Sequence, residues 1–424
     1  MIKIIDYKLN NREEIFSVNV EKPNVSLSVS EIIDNVRKNG DKALFDYALK
    51  FDKATLSSLR VSSEEIINAY NSVDDNFKRI LQDAAKNIKE FHEKQKRNGF
   101  NLKKSSGITV GQKVIPIERA GIYVPGGTAA YPSTVLMDSI PAIVAGVERV
   151  VMVSPPNAKG EINPVILAAA HVCGITEIYK VGGAQAIAAL AYGTETIPKV
   201  DKIVGPGNAY VAEAKRQVFG AVSIDMIAGP SEIMIVADST NRAKDIAADL
   251  LSQAEHDKMA SAVLVTDSVD FAKEVSAQLE IQIPKLERNN IARESIDNYG
   301  KIIITDSIDS AIDIANEIAP EHLEICVDNP FDYLDKIKHA GSVFLGKFCP
   351  EALGDYLAGT NHTLPTSGTA RFSSPLSVDD FIKKTQYIYY DKESLRAVAK
   401  DVEYFACQEG LTAHAKSAVI RFED

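Results

Sequence analysis

The stretch Glu177–Gly193, EIYKVGGAQAIAALAYG, decides the fold. Glu177–Val181 reads as a short apolar strand, Gly182-Gly183 as a tight turn, and Ala184–Tyr192 as a helix that Gly193 closes. The same unit recurs on either side. Upstream, Val150–Val153 is a strand before Ser154-Pro155-Pro156, and Pro164–Cys173 is a helix stopped by Gly174. Downstream, Lys202–Val204 is a strand and Asn208–Phe219 a helix ended by Gly220, followed by strand Glu232–Ala237. Strands without strict polar alternation, separated by helices, predict a parallel sheet covered on both faces. A second series begins with helix Asn241–His256, for which Asn241 is a suitable N-cap. Strands Ala262–Thr266 and Lys301–Thr305 follow, then helix Ile308–Ile318, which must end before Pro320. Strands His322–Val327 and Ser342–Leu345 complete the series.

The expected fold is therefore α/β, with two tandem Rossmann-like, doubly wound domains. Residues 1–25 form an N-terminal arm. Residues 26–120 and 233–375 form one discontinuous α/β domain, and residues 121–232 the other. Residues 376–424 lose the rhythm and form a helical C-terminal tail. Between 30 and 97 the periodicity is helical, with Asn39-Gly40 as a stop signal. Gly107–Ile122 alternates like strands.

Composition excludes several classes. The chain has 424 residues, enough for two or three domains, and is 45% hydrophobic and 25% charged. Its formal net charge of -11 argues against nucleic acid or an anionic membrane as a partner. The four cysteines, Cys173, Cys326, Cys349 and Cys407, form no CxxC pair. The start lacks the apolar core of a signal peptide, and no stretch approaches the roughly 20 apolar residues of a membrane span. A cytoplasmic protein is the simplest expectation.

Three patterns carry chemistry. In Ser252-Gln253-Ala254-Glu255-His256, Gln253 and His256 are three apart and share a helix face, as half of a metal site requires. Asp355, His362 and His414 are metal-capable residues further on. Spacing alone also fits a polar helix end, an Asx-turn at Asp355 and an exposed histidine at 414. Glycine loops at Gly121–Gly127, Gly182-Gly183 and Gly205-Pro206-Gly207-Asn208 would let backbone approach a ligand and aim helix N-termini at it. The third differs from the dinucleotide fingerprint at Tyr210, where Gly or Ala is usual. Finally, Ala319-Pro320-Glu321-His322-Leu323 sets a carboxylate beside an imidazole where a helix breaks. That pair suits proton transfer, although neighbours on an extended segment point oppositely.

Taken together the strings are more specific. Gly121–Met137 (GIYVPGGTAAYPSTVLM), Gly182–Ala191 (GGAQAIAALA), Gly205–Val211 (GPGNAYV), Ala228–Glu232 (AGPSE), Leu250–His256 (LLSQAEH), Ala319–Leu323 (APEHL), Gly354–Thr366 (GDYLAGTNHTLPT) and Glu409–His414 (EGLTAH) occur in this order. The chain resembles the L-histidinol dehydrogenase family from about residue 25 to its end. The resemblance implies two successive NAD-dependent oxidations of L-histidinol to L-histidine through an aldehyde, in a zinc-containing homodimer with one zinc per subunit. It implies Gln253, His256, Asp355 and His414 as zinc ligands, His322 as general base, and Glu321 as the group that activates water. It also implies that Ser231, His362 and Glu409, with the metal set and His322, lie near the substrate, and that Tyr123, Gln185 and Asn208 contact NAD. In that family the tail crosses to the partner subunit, so His414 and Glu409 would complete the neighbouring site. Zinc has no redox chemistry of its own and would orient the imidazole and amine of histidinol, leaving hydride acceptance to NAD. The alternatives are a related NAD and zinc dehydrogenase of another small polar alcohol, a zinc hydrolase without NAD, and an inert binding protein.

Overall fold

The computed structural model describes residues 1–9, 15, 24–105, 107–126 and 130–423. Residues 10–14 and 16–23 of the expected arm, and Gly127 of the first glycine loop, lie outside the described residues. Two compact units divide the chain, residues 1–95 with 118–381 and residues 96–117 with 382–424.

In chain order, β1 (Lys3–Asp6) precedes helices α1 (Ser26–Tyr47), α2 (Ser63–Ser72) and α3 (Asp75–Glu93). Strands β2 (Phe100–Ser105) and β3 (Ile108–Pro116) belong to the second unit. One α/β series follows, of β4 (Arg119–Tyr123), α4 (Pro132–Ala145), β5 (Arg149–Ser154), α5 (Pro164–Cys173), β6 (Glu177–Lys180), α6 (Gly183–Tyr192), β7 (Lys202–Val204), α7 (Ala209–Val218) and β8 (Ser223–Ile224). The next runs through β9 (Glu232–Ala237), α8 (Ala243–Ala254), β10 (Ser261–Thr266), α9 (Val269–Gln282), α10 (Asn289–Tyr299), β11 (Lys301–Ile304), α11 (Ile308–Ile318), β12 (His322–Cys326), β13 (Ser342–Leu345) and α12 (Ala352–Tyr356). The second unit resumes with β14 (Ile382–Tyr390), α13 (Lys392–Gln408) and α14 (Thr412–Val419).

Within the first unit the two series form separate parallel sheets, ordered β6-β5-β4-β7-β8 and β1-β11-β10-β9-β12-β13. Numbered from the first strand of its own series, each core reads 3-2-1-4-5, the doubly wound order. The direction of winding reverses between β4 and β7 in one sheet and between β9 and β12 in the other. The apolar run of β9 shows why both faces are covered. Ile233, Ile235 and Ala237 enter one core with Leu250 and Leu251 of α8, while Met234 and Val236 enter another with Ile312 and Ala315 of α11.

The arm contributes β1, which pairs in parallel with β11 at the sheet edge. The Asn39-Gly40 signal kinks α1 rather than ending it, with Gly40 at φ 51° and ψ -133°. Val29, Ile33 and Val36 of α1 share a core with Tyr123, Val151 and Ile187, so α1 packs with the 121–232 series. The second unit is not purely helical, since β14 pairs antiparallel with β3 over nine residues before α13 and α14. Among the described residues, no helix is long and apolar enough to cross a membrane.

Candidate active site

The amino end of β9 holds the Glu-His pair with a single residue. Glu321 Oε2 accepts a hydrogen bond from the Glu232 N–H at 2.9 Å, and His322 Nδ1 lies 3.0 Å from the Glu232 carbonyl. A carbonyl oxygen can only accept, so Nδ1 carries the proton and Nε2 is left as the basic nitrogen. Nε2 is buried and has no hydrogen-bond partner. Burial lowers the His322 pKa, which keeps the ring neutral and able to take a proton. The two side chains do not diverge as an extended dipeptide would. Glu321 precedes β12, and its Oε2 lies 3.7 Å from His322 Nδ1. The approach to the pair is tight. Helix α11 stops as expected before Pro320, with Ala319 held at φ 54°. Ser342 N–H donates to the Glu321 carbonyl at 2.8 Å.

Helix α8 runs back from β9 and brings its C-terminal end to the same place. The helix expected to reach His256 ends at Ala254, and one tighter turn follows, with His256 N–H donating to the Gln253 carbonyl at 3.0 Å. Asn241 is not the N-cap. Arg242 occupies that position, and the Asn241 amide instead donates to the Cys326 carbonyl at 2.7 Å, tying α8 to β12. Gln253 is 1% exposed, and its Oε1 is buried without a partner. His256 is half-buried, close enough that its charge would depress the pKa values of His322 and His362. Ser231 sits immediately before β9, and its carbonyl accepts from Ser261 N–H at 3.0 Å.

Short helix α12 supplies carboxylates. Asp355 Oδ1 is 3.7 Å from His362 Nδ1. Ligating atoms of His322, Glu351 and Asp355 all lie within 4.8 Å of one another. Burial, followed by the charge of Glu351, pushes Asp355 up to about 8. Burial raises Glu321 and Glu324 well above the carboxylate range, and Asp249 to about 7. Glu351 and Asp355, with an amide oxygen and an imidazole nitrogen left bare, fit a divalent cation such as zinc together with a cationic substrate.

Glu351 was not anticipated, although it stands four residues before Asp355. Two acids one helical turn apart is the pattern that could have revealed it. Glu409 closes α13 and His414 lies in α14, both in the second unit.

The glycine loops gather at the carboxyl ends of β4, β6 and β7, around the point where strand order reverses, the usual place for a nucleotide. The hydroxyl of Tyr123, the last residue of β4, accepts from Gly183 N–H at 3.2 Å. Gln185 is buried in the first turn of α6. Asn208 caps α7, its Oδ1 accepting from Tyr210 N–H at 3.0 Å and Val211 N–H at 3.2 Å. Gly205, at φ 120°, begins this last loop, and an added Cβ would collide with the Tyr123 carbonyl. A buried ion pair of Lys215 and Asp225 clamps its backbone. Lys215 Nζ donates to the Gly205 carbonyl at 2.9 Å, and Gly205 N–H donates to Asp225 Oδ2 at 2.8 Å.

Chain similarity follows the same lines. The family model for histidinol dehydrogenase matches residues 17–422. The chain belongs to the histidinol dehydrogenase family. Curated histidinol dehydrogenases from Clostridium acetobutylicum and Lactococcus lactis are 56% and 52% identical to it. The first match covers 95% of this chain and 94% of the relative, and the second covers all of both. A crystal structure of histidinol dehydrogenase from Elizabethkingia anophelis is 41% identical, with a TM-score of 0.94, covering 100% of this chain and 98% of that one. Membership makes this histidinol dehydrogenase family chain an NAD-dependent oxidoreductase, and the family implies NAD and zinc.

One buried acid links α4 to the loop that carries His362. Asp138 of α4 accepts from Thr363 Oγ1 at 2.7 Å, and Asn361 Nδ2 donates to the Met137 carbonyl at 2.6 Å, so His362 is held between two anchors. Burial pushes Asp138 up to about 7. Its folded value therefore lies above the unfolded one, near 4. Between these values the unfolded chain loses a proton that the folded chain keeps, so stability falls as pH rises from about 4 to 7 and levels off above. Asp138→Asn should flatten that decline, by at most about 1.4 kcal/mol per pH unit. Thermal unfolding of both proteins across this range checks it, and parallel profiles would contradict it.

Proposed function

We propose that the chain oxidises L-histidinol to L-histidine through an aldehyde kept at the Glu321–His322 pair, using NAD, one zinc per subunit and a shared dimeric site. The observation that carries this reading is the bare, buried Nε2 of His322 grouped with the Glu351 and Asp355 carboxylates, with the Gln253 oxygen also unpartnered. Gln253, His256 and Asp355 would hold zinc, with His414 of the partner subunit. When bound, zinc supplies a Lewis-acidic anchor for the imidazole and amine of the substrate, and NAD supplies the hydride acceptor. His322 Nε2 takes the proton of the substrate hydroxyl in the first oxidation. Glu321 then takes a proton from the water that adds to the aldehyde while His322 returns its proton to the carbonyl oxygen, giving a gem-diol and a free Nε2. His322 accepts the second hydroxyl proton as that diol is oxidised to the carboxylic acid. Ser231 and His362 line the substrate together with Glu409 of the partner subunit, and Tyr123, Gln185 and Asn208 meet NAD.

Chelation tests this. Protein stripped of metal should form NADH from L-histidinol at least about 100-fold more slowly, and zinc should restore the rate. Full activity in protein shown by elemental analysis to be metal-free would remove zinc from the reading. Zinc-replete protein that forms no NADH from histidinol would overturn it.

A further inference from the structure

The carboxamide of Gln253 is held in one orientation by a residue outside the implied ligand set. Gln253 Nε2 donates to Glu351 Oε1 at 2.5 Å, while Gln253 Oε1 has no partner and both residues are almost fully buried. An amide has two nearly isosteric ends, and only its oxygen can bind a cation. A carboxylate against the nitrogen end fixes which end of the amide is engaged and leaves the oxygen as the free one. Glu351 is itself held from two sides. Ser252 Oγ donates to its other oxygen at 2.5 Å, and its backbone N–H donates to Glu324 Oε1 at 2.8 Å. Gln253 Oε1 and His322 Nε2 are both buried without a partner, and Glu351 Oε1, which holds the Gln253 nitrogen, stands 4.0 Å from His322 Nε2. The geometry points to Glu351 as a positioning residue that fixes the Gln253 amide with its oxygen toward the metal. This rests on the zinc reading above.

The role explains how a neutral ligand serves in a metal site. An amide free to rotate would spend part of its time with its nitrogen toward the cation. A charged acceptor on the nitrogen end removes that alternative, as carboxylates do for metal-bound histidines.

The test is zinc affinity of the whole protein, by competition with a chromophoric chelator, with the visible spectrum of the Co2+-loaded protein as a second readout. Glu351→Ala should bind zinc about 10–100-fold more weakly. Glu351→Gln keeps an oxygen acceptor without the charge and should lose only about two- to tenfold, which keeps the test open if the alanine variant fails to fold. Cobalt bands should hold their positions in both variants, because the ligands are unchanged. Asp249→Asn changes a neighbouring acid outside the Gln253 contact and should stay within about twofold of the parent, since that contact is what orients the amide. Parental zinc affinity in either Glu351 variant overturns the proposal. Shifted cobalt bands overturn it by making Glu351 a ligand, and an equal loss in Asp249→Asn overturns it by making charge the cause. A parent protein that takes up no zinc fails the zinc reading itself, a separate result.

Discussion

His322→Ala is expected to lower the rate of NADH formation from L-histidinol by 10²–10⁴-fold, the range a positioned general base supplies, or about 3–5 kcal/mol of barrier. The ring is neutral, its protonated nitrogen is spoken for by the Glu232 carbonyl, and the other nitrogen faces the cavity bare. In the proposed reaction both oxidations use that nitrogen, so both should slow. Glu321→Ala should behave differently. Its carboxylate is the water base in the reading above, so oxidation of supplied L-histidinal to histidine should suffer more than reduction of the same aldehyde by NADH. Single-turnover assays of each half-reaction decide the matter. Equal losses in the two for Glu321→Ala would take away its assignment, and near-normal turnover of His322→Ala would take away that of the imidazole.

The second large effect concerns the dimer. His414→Ala and His322→Ala should each be inactive alone. If α14 serves the neighbouring subunit, a mixed dimer contains one site with an intact His322 and an intact His414, and one site with neither. Equal mixing under subunit exchange should then return about a quarter of the parental activity, since half the dimers are mixed and each has one working site. No recovery, with exchange verified by tagged subunits, would mean that the tail completes its own site or none.

Much of this arrangement was legible in the chain. Glycines and prolines at 174, 193 and 320 marked helix ends, because glycine takes positive φ without strain and proline cannot continue a helix. Unbroken apolar strands announced a two-faced sheet. What stayed hidden was set by tertiary contact. Asn241 looks like a cap, but a carbonyl 85 residues away claims its amide. Gly40 looks like a stop, yet both halves of α1 share one buried face, so the chain bends and continues. Glu351 carries no motif of its own, and its importance comes from Gln253, which lies 98 residues earlier. The second unit's strand β14 was missed because Lys383, Lys384, Thr385 and Gln386 form a polar run on an exposed surface, where apolar periodicity is weak.

The parallel register of β9 and β12 has a kinetic consequence. Glu232 meets Glu321 and His322 across sequence separations of 89 and 90 residues, and the parallel pairing of β9 with β12 requires the whole of that intervening chain to be in place. No fragment shorter than that span can assemble the reactive corner. Ion capture must therefore come late on the folding route, and a nascent chain still emerging from synthesis would hold a cation no better than a loose polymer does.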